Sequence, residues 1–236
     1  MKELQAKPPG VVLWDIDGTL IRTKRENFAS PHKRLLQRLG FESNSSTQEF
    51  SGATDYEVLV GLLGKSLRDL STKKLKEIFK ELDTESADLD QITVYEVLPG
   101  VNQFIRSLSP SLWQQGILTG NTKNRMNAKL NNAMISKLFD DSLMFNCEFG
   151  EMRSDILRRA NWALKTNQFS NVCIIGDTPR DIVAAKEFNL PTVAVATGNF
   201  SIQQLEKYEP DLLIGSLENE KEALVDFLLK LSSEQI

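Results

Sequence analysis

Four continuous apolar runs, set apart by amphipathic stretches, constrain this chain more than any other feature. They are Val11 to Trp14, Gly116 to Thr119, Val172 to Ile175 and Thr192 to Ala196, with a weaker fifth at Leu212 to Ile214. A run rich in β-branched residues that does not alternate with polar ones reads as a strand buried on both faces, as in a parallel sheet. Helical spacing fills the gaps. Phe104, Ile105 and Leu108 share a face, as do Met126, Leu130 and Met134. Ile156, Leu157, Ala160 and Ala163 form another, and Ile182, Ala185 and Phe188 a looser one. Strands alternating with helices predict an α/β fold with a doubly wound parallel sheet.

One stretch interrupts that rhythm. Between residues 22 and 93 the patterns are helical, with Leu35, Leu36 and Leu39 on one face and Leu75, Ile78, Phe79 and Leu82 on another. This block is too long for an ordinary connection between strands. It is expected to form a helical insert over the sheet, dividing the chain into a core of 1–21 and 94–236 and an insert of 22–93. Leu98, Pro99 and Gly100 mark the return to the core as a turn leading into a helix. The charged run from Lys73 to Glu77 reads as a solvated helix face.

The 236 residues suffice for such a core and insert, and 41% hydrophobic with 25% charged residues is ordinary globular composition. A net charge of -4 argues against a nucleic-acid partner, whose phosphates call for Lys and Arg. Cys147 and Cys173 lie among apolar residues with no close cysteine partner, and His32 is the single histidine. They are expected to be buried thiols in a reducing cytoplasm. Residues 1–10 carry no signal-peptide apolar region, and no apolar run approaches membrane-spanning length, so no membrane partner is expected. The glycosylation-like strings at Asn44 and Asn199 are noise in a cytosolic protein. No feature specifies an oligomeric state.

The strongest chemical signal is Asp15, Ile16, Asp17, Gly18, Thr19 and Leu20, directly after the first strand. Ligands of open parallel sheets bind beyond the carboxyl ends of the strands. Two carboxylates two residues apart in extended chain share a direction, which suits a nucleophile and an acid/base partner serving one substrate. Gly18 permits a sharp turn. The competing account is a hairpin turn at Asp17 and Gly18. The apolar run before it does not alternate, however, and Leu20 and Ile21 are too short to be a matched partner strand.

A second signal is Gly176 and Asp177 at the end of a strand, followed by Thr178 as a helix N-cap and Pro179 as the first helical residue. Asp181 sits three residues after Thr178, where a capping partner belongs. Capping leaves Asp177 at the strand tip unexplained. Asp15, Asp17 and Asp177 together would make an oxygen-rich pocket suited to Mg²⁺. Thr119, Gly120 and Asn121 lie between a strand tip and a helix start, where a hydroxyl and free backbone N–H groups make a phosphate cradle. Thr197, Gly198 and Asn199 look alike, but Thr119 follows the strand after the insert and is preferred. Arg153 is the candidate cation for a transferring phosphoryl group, ahead of Lys123, Arg125, Lys137 and Lys165. Gly61 to Ser66 mimics a nucleotide P-loop, yet Leu59 stands where that motif needs glycine, and no strand precedes it.

These motifs resemble those of the haloacid dehalogenase superfamily. Asp15 to Leu20 is similar to its DxDGTL signature, Thr119 to its hydroxyl motif, and Gly176, Asp177 and Asp181 to its GDxxxD motif. The helical insert resembles the cap of the phosphoglycolate-phosphatase and β-phosphoglucomutase branch, and Leu98 to Val101 the turn that follows such caps. The resemblance implies that Asp15 attacks phosphorus and that Asp17 protonates the leaving alcohol and then activates water. It implies Mg²⁺ held by Asp15, the Asp17 carbonyl and Asp177 with support from Asp181, and Thr119 bonded to a phosphoryl oxygen. The third motif departs from the family, which mostly places Lys where this chain has Met152, Arg153 and Ser154. An acid at position 17 distinguishes phosphatases and phosphomutases from dehalogenases, since halide leaves without a proton.

The expected activity is therefore hydrolysis of a small phosphorylated metabolite. The alternatives are a phosphomutase and a catalytically silent relative that binds phosphate or a partner. Substrate contacts are expected from Gly18, Thr119, Gly120, Asn121 and Arg125 on the core side. Arg22, Thr54 and Asp55 would contribute from the insert, through a loop at Gly52 to Asp55.

Overall fold

Gly10–Trp14 forms β1, with all five residues buried, at the centre of the computed structural model, which describes residues 9–23, 31–41 and 50–233. The expectations about residues 1–8 and the string at 44–46 lie outside the described residues. Ile21–Thr23 is β2, and Pro31–Arg38, Asp55–Leu63 and Thr72–Ile92 are α1, α2 and α3, with a 3₁₀ stretch at Gly64–Asp69. Tyr95–Val97 (β3), Val101–Ser107 (α4), Trp113–Leu118 (β4), Lys123–Asn132 (α5) and Met144–Phe145 (β5) follow. Arg153–Thr166 (α6), Val172–Gly176 (β6), Pro179–Glu187 (α7) and Thr192–Val195 (β7) come next, then Ile202–Glu206 (α8), Leu212–Ile214 (β8) and Lys221–Ser233 (α9).

Six strands form one sheet in the order β5-β4-β1-β6-β7-β8, every pairing parallel. Side-chain alternation along β1 explains the two layers around it. Val12 and Trp14 face a cluster with Phe104 of α4, Met126 of α5 and Leu224 of α9. Val11 and Leu13 face the opposite cluster, with Ile156 and Ala160 of α6 and Ala184 of α7. This is the doubly wound α/β arrangement. β4 begins three residues before the apolar run that marks it. Gln115, polar within a buried strand, accepts a hydrogen bond from the Trp14 indole at 2.8 Å.

Helices α1 to α3 build a cluster of their own from Leu35, Leu36, Leu59, Leu62, Ile78 and Leu82, and α3 packs along α5. Lys73, Lys74, Lys76 and Glu77 are exposed, as a solvated face requires. The P-loop look-alike runs from the end of α2 into the 3₁₀ stretch, so a helix and not a strand leads into it.

Three short strands escaped the sequence reading. β5 has only two residues. β2 and β3 pair with each other in an antiparallel ribbon, Ile21 opposite Val97 and Thr23 opposite Tyr95. The chain after Gly18 therefore does enter a strand, including Arg22 and Thr23, where a helical pattern was expected. Its partner lies more than seventy residues away, which local pattern cannot reveal. Met134 also departs from expectation. α5 stops at Asn132, Met134 takes φ +57 and is exposed, and Ile135 fills the buried position instead.

Candidate active site

Asp15 follows β1 directly, and Asp177 follows β6, its neighbour in the sheet. Parallel pairing of adjacent strands brings both to one rim. Asp181, on the first turn of α7, joins them: one carboxylate oxygen from each of Asp15, Asp177 and Asp181 lies within 4.8 Å of the others. All three side chains are buried. Arg153, at the start of α6, reaches Asp15 Oδ1 at 2.7 Å. Its Nε donates to Asp181 Oδ1 at 2.8 Å. Asp181 also accepts from the Thr178 amide at 3.2 Å and the Thr178 hydroxyl at 2.8 Å. It thus caps α7 and orients Arg153 at once. The Thr19 hydroxyl donates to Asp177 Oδ1 at 3.2 Å.

The electrostatics follow from crowding acids in a buried space. Burial, with Asp181 and Asp17 adding like-charge repulsion, pushes the Asp15 carboxyl up to about 7 against the pull of Arg153. Burial, then the charges of Asp15 and Asp181, raise Asp177 in the same way, opposed by Thr19 and Arg153. Such a cluster is relieved by a cation, and oxygen-only donors suit a hard one. The backbone leaves room for the carboxylate: a methyl group at Gly18 or Gly198 would overlap Asp177.

Asp17 has a different environment. Its carboxylate is half exposed, yet Oδ2 accepts from Lys129 Nζ at 2.6 Å and from Asn121 Nδ2 at 2.8 Å. Burial acts to raise its pKa, but Lys129 and Asn121 outweigh it and hold the carboxyl below the usual value. Asp15 and Asp17 both border one cavity of about 570 Å³. Their partners differ, because the strand ends at Trp14 and Gly18 turns the chain at φ +85.

The loop after β4 differs from the expected cradle of free amides. The Thr119 N–H donates to the Phe145 carbonyl and the Thr122 N–H to Asp55 Oδ2. The Asn121 N–H donates to Thr119 Oγ1 at 3.2 Å, and Asn121 Nδ2 donates to the same oxygen at 2.8 Å. A hydroxyl that already accepts twice keeps its own hydrogen to donate. Thr119 therefore presents a donor to the cavity, which Gly120 and Asn121 also line.

Insert residues close the cavity. Phe50 to Ala53 and Asp55 line it, with Arg22 at its edge. The Asp55 amide donates to the Gly120 carbonyl at 2.8 Å. Arg22 is ion-paired with Glu96 at 3.1 Å across the β2–β3 ribbon. Thr54 does not line the cavity. It is the N-cap of α2, where its hydroxyl accepts from the Glu57 amide and donates to the Glu151 carbonyl.

Lys129 and Thr197 were missed as site residues. Lys129 had a visible signal: it stands beside Met126 and Leu130 on α5, four residues after Arg125, where an apolar residue would suit the core. Thr197 belongs to the string set aside as a look-alike. Its hydroxyl donates to the Gly18 carbonyl at 2.6 Å, so that string braces the loop carrying Asp15 and Asp17.

A parallel α/β sheet with convergent carboxylates beyond two adjacent central strands defines an enzyme that works at the carboxyl rim of its sheet. The chain belongs to the haloacid dehalogenase-like hydrolases, whose family profile matches residues 12–195. It is similar to the pyrophosphatase PpaX of Bacillus velezensis, 25% identical over 205 residues, which cover 86% of this chain and 90% of that protein. Among solved structures it is similar to a β-phosphoglucomutase from Clostridium difficile, at a TM-score of 0.69 and 18% identity, covering 95% of this chain and 97% of that one. A chain from Haemophilus somnus described as a predicted phosphoglycolate phosphatase gives a TM-score of 0.64 at 14% identity, covering 94% and 99%. Among the described residues no helix is long and apolar enough to cross a membrane.

Proposed function

We propose that the protein is a Mg²⁺-dependent phosphatase of the cytoplasm that hydrolyses a small phosphorylated metabolite through an aspartyl-phosphate on Asp15. The observation that carries this reading is the buried convergence of Asp15, Asp177 and Asp181 within 4.8 Å, with Arg153 bridging Asp15 and Asp181.

Asp15, Asp177 and the Asp17 carbonyl would hold the ion, with Asp181 in support. Bound there, Mg²⁺ would neutralise charge between the carboxylates and a phosphoryl group. The protein's own groups supply the rest. An Asp15 oxygen attacks phosphorus while the bond to the leaving oxygen breaks, and Asp17 donates a proton to that oxygen. Asp17 then takes a proton from water, the water oxygen attacks phosphorus, and the bond to Asp15 breaks to release inorganic phosphate. Thr119 donates to a phosphoryl oxygen. Arg153, in the place of the usual Lys, keeps a fixed cation beside the nucleophile.

Residues 22–93 would act as the cap that selects the leaving group. Each of the four Arg and Lys side chains lining the cavity, among the described residues, already holds a carboxylate: Arg22, Arg125, Lys129 and Arg153. A phosphomutase must also hold a second anionic group, so this pairing favours the hydrolase. The PpaX relative makes a phosphoanhydride a substrate to include in testing.

The test is phosphate release from p-nitrophenyl phosphate and a panel of phosphorylated metabolites with Mg²⁺. Asp15→Asn should abolish it. Turnover surviving that change would remove the nucleophile and the mechanism with it.

A further inference from the structure

Lys129 is a buried cation on α5, one turn after the buried Arg125 and flanked by residues that pack into the core. Its side chain is 5% exposed, between Met126 and Leu130, which are both buried. Removing an ammonium from water is unfavourable unless it is paired and hydrogen-bonded, and a leucine would fill such a site at lower cost. The ammonium has two hydrogen-bond partners, Asp17 Oδ2 at 2.6 Å and Asn121 Oδ1 at 2.8 Å, and lies 6.0 Å from the centre of the Tyr95 ring. Asn121 turns its other side-chain atom to Asp17 Oδ2 and Thr119 Oγ1, both at 2.8 Å. Lys129, Asn121, Asp17 and Thr119 thus form one connected network along the wall of the cavity. It fixes a half-exposed carboxylate that stands at the end of no strand and has only a turn beneath it.

We infer that Lys129 is a positioning residue for the reaction, holding the Asp17 carboxyl group through Oδ2 so that Oδ1, which carries the proton passed to the leaving oxygen, faces that oxygen. This rests on the phosphatase reading, in which Asp17 donates the proton. Asn121 is the second arm of the clamp and couples it to Thr119. The orientation of the acid/base group and that of the hydroxyl on the phosphoryl side are then set by one network, anchored on α5 as well as on the turn itself.

A group that positions a general acid matters in proportion to how badly the leaving group needs a proton. p-Nitrophenolate leaves unaided, whereas an alkoxide does not. The experiment compares kcat/KM for p-nitrophenyl phosphate and glycerol 2-phosphate in the wild type, Lys129→Met and Lys129→Arg. The parameter kcat/KM reports steps through transfer to Asp15, before water enters. General acid catalysis contributes roughly 10²- to 10⁴-fold, so partial loss of its alignment in Lys129→Met is expected to cost on the order of 10- to 100-fold on the alkyl ester and less than about 3-fold on the aryl ester. Lys129→Arg, which keeps a cation, should recover part of the alkyl activity. With Asp17→Asn already in place, Lys129→Met should cost nothing further on the aryl ester.

Equal losses on both esters, or an undiminished cost in the Asp17→Asn background, would overturn the inference while leaving the phosphatase reading intact. If Lys129→Met unfolds, the comparison between Lys129→Arg and the wild type on the two esters decides instead. A wild type that releases phosphate from neither ester would strike the underlying reading.

Discussion

Asp55 and Arg125, both buried in the wall of the cavity, join the insert to the helix layer of the core. Asp55 opens α2 in the insert and Arg125 stands on α5, and one guanidinium nitrogen meets the carboxylate directly. Arg125 Nε donates to Asp90 Oδ2 of α3 at 2.9 Å, and the Tyr95 hydroxyl donates to the other Asp90 oxygen at 2.6 Å. His32 approaches Asp55 Oδ1 at 3.3 Å. Breaking a buried pair leaves an uncompensated charge, which typically costs about 3–5 kcal/mol. Arg125→Met is expected to lower stability by that order in urea denaturation. A loss below about 1 kcal/mol would mean that water screens the pair.

The same network gives the stability a defined dependence on acid. Burial acts to raise the Asp55 pKa, but Arg125 and His32 dominate and depress it below its ordinary value. A carboxyl whose folded pKa is depressed stabilises the fold above its unfolded value of about 3.9, and that contribution is lost as the pH falls through the folded pKa. The urea midpoint of the wild type should therefore drop more steeply below about pH 4 than that of Asp55→Asn. Parallel curves would refute the assignment.

Mg²⁺ binding should register without any turnover. A ligand present at about 100 times its Kd stabilises the folded state by about 2.7 kcal/mol, so the melting temperature should rise with added Mg²⁺ and fall with chelator. Asp177→Asn should abolish the shift. Gly198→Ala should do the same without altering a carboxylate, because its methyl would occupy the space of the Asp177 side chain. A normal shift in Gly198→Ala would show that the ion sits elsewhere.

Thr119→Ala removes the donor offered to a phosphoryl oxygen. A hydrogen bond to a charged group is worth about 1.5–3 kcal/mol, or roughly 10- to 100-fold in kcat/KM. Thr119→Ser should restore most of it, since serine carries the same hydroxyl. Unchanged kinetics in Thr119→Ala would exclude the contact.

The parts of this protein legible in the sequence are those fixed by local order along the chain. β1 and β6 announce themselves by continuous burial, and each carries its carboxylates directly beyond its last residue. The convergence of Asp15 with Asp177 follows from the pairing of those two strands. Contacts made across layers were hidden. Lys129 carries a local signal in its apolar neighbours Met126 and Leu130, but its partner Asp17 lies across layers, and only the packing of α5 brings the two together. Thr54 suggested a cavity contact by its place in the loop from Gly52 to Asp55, and its hydroxyl instead caps α2. The β2–β3 ribbon was invisible for a related reason: each strand has three residues, too few for a periodic pattern, and their pairing spans the whole insert.

Two glycines bring the insert against the rim with no side chain between them. A methyl at Gly52 would strike the Thr178 side chain, and one at Gly120 would strike the backbone of Ala53 and Thr54. An alanine at either position would leave the carboxylates of Asp15, Asp17, Asp177 and Asp181 in place and prop the two layers apart. Water could then reach the reaction from the open side. Hydration of the cleft and the chemistry within it are thus governed by different residues, and evolution could adjust one while leaving the other untouched.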